Sequence, residues 1–171
     1  HYNTFRLFAV NDEAGAIICE WDKDAKKPAI PIPYAQESMH GFEYAFAGLL
    51  LSRGFIDEGL RVVKSVRDRY RGFNRNPWNE IECGSNYARS MASFALIPIL
   101  SGMRADMTRG ELNFKPILPG DFRSVWSVGD AWGNVQLGKE NRLEIIDGGL
   151  RLKKLGLPVG GVKSVEVDGN P

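Results

Sequence analysis

Apolar positions along the chain change their period once. Up to about residue 106 they recur at helical spacing, and beyond it they alternate. Over 37–53, Phe42, Ala45, Phe46, Leu49 and Leu50 fall on one helical face, which predicts a helix with that face buried and Gly54 as its stop. Residues 55–70 repeat the pattern with Leu60, Val63, Val66 or Arg67, and Tyr70. Asp57 and Glu58 near the start of this second helix, and Lys64, Arg67 and Arg69 near its end, suit the helix dipole and read as a solvated face. Two such segments joined at a glycine predict a helical hairpin. Tyr87, Met91, Phe94 and Ala95 predict the buried stripe of a third helix, opened around Gly84 and Ser85 or Asn86 and kinked or ended by Pro98.

The segments on either side carry different signals. Apolar runs at 4–10 and 16–21, separated by Asn11-Asp12-Glu13-Ala14-Gly15, predict a hairpin, with the end of a helix over Phe5-Arg6-Leu7-Phe8 as the equal alternative for the first run. Pro28, Pro31 and Pro33 forbid a helix over 26–34 and predict an extended connection delivering the chain to Glu37. From Met107 onward, strands are expected over 110–116, Phe122–Val128, 133–137, 143–146 and 150–152, with Asp147-Gly148-Gly149 as a hairpin turn. Trp126 and Trp132 are either core anchors of this small sheet, which is the commoner role, or flat platforms for a sugar.

Composition narrows the class. With 171 residues, 43% of them hydrophobic, and a net charge of +1, the chain is long enough for a core and has no basic surplus for nucleic acid. The longest apolar runs, 46–51 and 95–100, are too short to span a bilayer. Cys19 and Cys83 lack metal-ligand or CxxC spacing, which favours reduced thiols and a cytoplasmic setting. No metal or cofactor is expected. The chain starts at His1, without an initiator methionine or leader pattern, which, taken with the family resemblance given below, suggests the C-terminal piece of a longer protein.

Chemistry concentrates between residues 71 and 93. Asn76-Pro77 is a turn signal, and an extended Asn79-Glu80-Ile81-Glu82 would send both carboxylates to one face. Arg89 would follow in the first turns of the third helix. Acceptor-only carboxylates facing a planar five-donor guanidinium suit a polyhydroxylated ligand. The plainer alternative is a buried Glu80–Arg89 ion pair that pins a loop. Glu37, likewise, is by itself an ordinary helix-end charge.

The run Arg75-Asn76-Pro77-Trp78-Asn79-Glu80-Ile81-Glu82-Cys83-Gly84-Ser85-Asn86-Tyr87-Ala88-Arg89-Ser90-Met91-Ala92-Ser93 resembles the late motif of glycoside hydrolase family 116, the non-lysosomal glucosylceramidases and prokaryotic β-glucosidases. Asn11-Asp12-Glu13-Ala14-Gly15 and Pro31-Ile32-Pro33-Tyr34-Ala35-Gln36-Glu37 resemble the block leading to that family's sugar-contacting glutamate. The family then typically reads Glu-Val-Trp-Thr-Gly where this chain has Glu37-Ser38-Met39-His40-Gly41, so its aromatic is replaced by Met39. The resemblance covers residues 4–100 and continues more loosely through Phe122-Arg123-Ser124-Val125-Trp126-Ser127 and Ala131-Trp132-Gly133.

That resemblance implies a mainly α chain: the C-terminal part of an (α/α)6 toroid followed by a small β-hairpin-rich tail. Residues 1–106 would be the last helical hairpins with their sugar-binding loops, and 107–171 a β-rich extension packed on the same domain. It implies a retaining β-glucosidase or glucosylceramidase whose catalytic glutamate and aspartate lie upstream, with none in this chain. Glu80 and Arg89 would hold the glucose hydroxyls remote from the anomeric carbon, and Glu37 another hydroxyl. A β-glucoside is the expected partner. Inner helices stripped of their ring partners would expose apolar faces and leave the piece marginal or sticky. Two alternatives stay open: a non-catalytic carbohydrate-binding or structural module, and another (α/α)6 carbohydrate-active enzyme.

Overall fold

The computed structural model describes residues 9, 11–30, 32–35, 37–79 and 89–158. The chain forms two compact units, residues 1–96 and 97–171.

The first unit is built on a hairpin of α1 (His40–Ser52) and α2 (Ile56–Arg69). Gly54, at φ +86°, closes α1 in the left-handed conformation that glycine adopts without strain, and Phe55 N–H reaches back to Leu50 O at 3.0 Å. The two helices touch through small residues. A Cβ on Gly59 would lie 2.7 Å from Leu51 Cγ and 3.2 Å from Ala47 O, so only glycine allows this approach. The buried face of α1 is therefore His40, Glu43, Ala47, Gly48 and Leu51.

This overturns the face expected from the large apolar residues. Phe42, Phe46 and Leu49 are each 44–55% exposed, because the tight crossing selects the small-residue stripe instead. On α2 the same choice buries Gly59, Val66 and Arg69 and leaves Leu60 exposed. Arg69, expected on the solvated face, is fully buried. Asp57, Glu58 and Lys64 are exposed as anticipated.

The third helix is shorter than its pattern predicts. A 3-10 segment, Ser90–Ala95, leads directly into α3 (Leu96–Ser101). Ser93 Oγ donates to Ser90 O at 2.6 Å, a local bond that competes with α-helical geometry. Met91 and Phe94, expected in the core, are 85% and 63% exposed. Pro98 neither kinks nor ends α3: it sits in the first turn, where a missing donor is tolerated. The helix stops at Ser101, and Gly102 follows at φ +58°.

In the second unit two three-stranded sheets share the work. β1 (Arg104–Asp106), β2 (Glu111–Asn113) and β6 (Lys154–Gly156) form one, with β6 parallel to β2. β3 (Phe122–Val128), β4 (Ala131–Leu137) and β5 (Arg142–Asp147) form an antiparallel meander. Leu112, Phe114, Trp126, Ala131, Val135 and Leu137 make the core. The expected strand at 150–152 is absent; Leu150 and Leu152 pack against that core, and pairing resumes in β6. Asp147-Gly148-Gly149 is no hairpin turn, since the chain leaves β5 there and crosses to the other sheet.

A mainly α toroid segment is thus not what the chain forms. Among the described residues helices, the 3-10 segment included, hold 28% and strands 21%, in one helical hairpin, one short helix and two small sheets. All of the expected strand at 4–10 except Ala9, which is a bend, lies outside the described residues, as do the helix opening at 84–86, Glu80, Cys83 and Tyr87. At 16–21 no strand forms; instead Ile18 N–H and Cys19 N–H bond to Glu37 O and Ala35 O at 3.1 and 2.8 Å. The described residues of the proline-bearing 26–34 segment are not helical, as anticipated, and run irregularly with a bend at 29–30 and a turn at 33–35.

Candidate functional site

Glu37 precedes α1 rather than opening it. Tyr34, at φ +65°, ends the proline-bearing segment, and its carbonyl accepts Glu37 N–H at 2.9 Å. The bonds from Ile18 and Cys19 then fix this turn from the other side. The result is a run of buried groups, Glu37, Ser38, Met39 and His40, at the N-terminal end of α1. Met39 is 4% exposed, so this position is packing and cannot offer a ligand a face.

Arg89 comes to the same end of α1. A Cβ on Gly41 would lie 3.4 Å from Arg89 Cβ and 3.5 Å from Arg89 O, so a glycine lets the 89 backbone pass against the helix start. Arg89 itself is exposed. Two of the three residues singled out for sugar contact, Glu37 and Arg89, therefore lie at the N-terminal end of one helix. The Asn76-Pro77 turn forms as its sequence predicts, with Trp78 N–H on Asn76 Oδ1 at 2.9 Å and Asn79 N–H on Asn76 O at 3.1 Å.

Beneath this rim lies a cluster that periodicity did not reveal. Glu43 and Arg69 form an ion pair with side chains 1% and 0% exposed, held also by Arg69 Nη1 to Glu43 Oε1 at 3.2 Å. Ala16 N–H donates to Glu43 Oε1 at 2.8 Å, and Arg69 Nη1 donates to Ala14 O. The pair thus ties the 14–16 loop to both helices. His40 stacks on Tyr70, ring centroids 4.6 Å apart, and the Arg69 and Arg75 guanidinium carbons lie 5.8 and 5.9 Å from the Tyr70 ring centroid. Arg75 pairs with Glu13 at 2.6 Å, both largely buried. Burial, with the Arg69 charge second, lowers the His40 pKa to about 4, so the ring is neutral near pH 7. Burial raises the Tyr44 hydroxyl.

One signal could have found this cluster. Glu43, Ala47 and Leu51 share one face at four-residue spacing, and Val62, Val66 and Arg69 share another. Each stripe of small or apolar residues ends in an opposite charge. The eye follows the phenylalanines instead.

An open depression of about 240 Å³ lies over Gly15, Glu43 and Ser65 and includes neither Glu37 nor Arg89. Among the described residues no group of three or more His, Cys, Asp or Glu could hold a metal ion. No helix among them is long and apolar enough to cross a membrane. Neither the models of known protein families nor curated protein sequences match the chain.

Proposed function

We propose that this chain supplies glucose-contacting residues to a retaining β-glucoside hydrolase of the family 116 type, acting in the cytoplasm. The observation that carries the reading is that Arg89 passes against Gly41 in the first turn of α1, which Glu37 closely precedes, the two positions that the motif resemblance marks for sugar contact. Glu80 is assigned to the same sugar on its motif alone. The role is orientation and transition-state binding: carboxylates accept from ring hydroxyls and the guanidinium donates to them. The buried pairs Glu43–Arg69 and Glu13–Arg75 support it by holding the loops around that turn. The bond-making acid and nucleophile are assigned elsewhere in the polypeptide, about 5–5.5 Å apart as retention requires.

The test is kinetic, in the polypeptide carrying this chain together with its catalytic pair. Arg89→Lys and Glu80→Gln should each lower kcat/KM for an aryl β-glucoside by tenfold to a few hundredfold, about 1.5–3 kcal/mol for a lost charged hydrogen bond. Both remaining within about threefold would overturn the assignment.

A further inference from the structure

The outer face of the β3–β4–β5 sheet has a composition that its core does not explain. Opposed residues of antiparallel strands share a face, so the register sets Arg123, Gln136 and Arg142 in one row and Asn134 with Glu144 in the next. Trp132 stands in the row after, about 6.8 Å further along β4. Arg123, Trp132, Asn134 and Arg142 are exposed, and Gln136 and Glu144 half-buried. An open depression of about 460 Å³ covers the first two rows.

The two indoles of this sheet have opposite fates. Trp126 is 2% exposed, with its Nε1–H donating to Asn134 O at 3.1 Å, and it completes the core. Trp132 is 45% exposed on the other side and adds nothing to that core. It sits where a β-bulge interrupts the β4–β5 pairing, a feature that re-aims side chains and recurs beside binding sites.

We infer that this face binds a neutral polysaccharide. A pyranose ring presents an apolar C–H face, which an exposed indole can cover, and a rim of hydroxyls that each donate and accept. The neighbouring rows offer both capacities: guanidinium donors, a carboxylate acceptor and two amides that do either. Glu144 is already held by Asn134 Nδ2 at 3.2 Å and Arg142 Nη2 at 3.5 Å, so its acceptors are oriented before a ligand arrives. The charges balance, two arginines against Glu144 and Asp147, which gives a polyanion no net attraction and a neutral ligand no penalty. This site stands on residues of the second unit and goes beyond the role proposed for Glu37 and Arg89.

Affinity electrophoresis of the full chain in native gels tests it, with a soluble β-glucan and a soluble α-glucan cast in separate gels. Retardation is expected in at least one, weakened tenfold or more in Trp132→Ala and partly kept in Trp132→Phe. Trp78→Ala, which removes an exposed indole of the other unit, should migrate as the unaltered chain does. Near-UV circular dichroism checks that Trp132→Ala is folded; should it not be, Gln136→Ala with Arg142→Ala must weaken binding several-fold. No retardation in either glucan overturns the proposal, as does unchanged retardation of Trp132→Ala. Retardation that is lost in Glu37→Gln but kept in Trp132→Ala overturns it too, by placing the binding in the first unit.

Discussion

The carboxylate of Glu43 on α1 and the guanidinium of Arg69 on α2 are paired in the interior of the first unit, out of reach of solvent. Each also bonds to the backbone of the 14–16 loop, so the pair is a three-way tie. Removing one partner strands a buried charge. Arg69→Met is expected to cost about 3–5 kcal/mol, measured by urea unfolding. The double variant Glu43→Leu with Arg69→Met should recover most of that loss, since neither desolvated charge remains. A double variant as unstable as the single would show that loop anchoring, and not charge burial, dominates.

His40 gives the same unit a pH response. Folded, it stays neutral down to about pH 4; unfolded, it takes its proton near 6.5. The unfolded state therefore binds more protons within that window, and stability falls as pH drops through it. The contribution is complete above about pH 6.5 and lost by about pH 4, some 3 kcal/mol over the whole window. Unfolding by urea at pH 7 and pH 4.5 should show a smaller decline in His40→Gln than in the unaltered chain. Parallel declines would remove His40 as the source.

What the sequence disclosed, and what it hid, has a physical pattern. Both helices of the hairpin lie within a few residues of their expected bounds, and β3 turns Phe122 and Trp126 to the inner side as alternation predicts. Local periodicity and stop signals suffice for such elements. Which face a helix buries is a tertiary choice, and here Gly59 against Leu51 outweighed the bulk of Phe42 and Phe46. The toroid expectation failed because it rested on a motif likeness and extended a few helical repeats into an architecture. For the candidate site, motif resemblance marks Glu37 and Arg89, and the fold brings Arg89 against Gly41 at the start of α1. Glu43 and Arg69 were not, because a charge at a helical position reads as solvated until its partner on another element is known.

The misassigned face of α1 has a consequence in solution. Phe42, Phe46 and Leu49 lie on one side of α1 and are exposed, an apolar stripe of the kind that drives association. The chain is expected to bind a hydrophobic dye and to sediment in a concentration-dependent way. Phe46→Ser with Leu49→Ser should reduce both severalfold while changing unfolding free energy by less than about 0.5 kcal/mol per site, since neither residue is in the core. A monodisperse chain that binds no dye would show that this stripe is harmless.

Gly133 offers the sharpest test of the second unit. A Cβ built there would lie 1.8 Å from Glu144 O and 2.8 Å from Glu144 C, atoms of the neighbouring strand's backbone. No rotamer change relieves a clash with backbone, so Gly133→Ala must push β5 away from β4. The pairs Asn134↔Glu144 and Val135↔Leu143 would go with it, and Leu143 packs against the core. The expected cost is more than about 3 kcal/mol, in the range reserved for strained backbone positions. Hydrogen exchange should locate the loss at the amides of β4 and β5, while those of α1 and α2 keep their protection. Uniform loss in both units would mean that they unfold as one. An unchanged melting profile would mean that the bulge at Trp132 already absorbs the added methyl group.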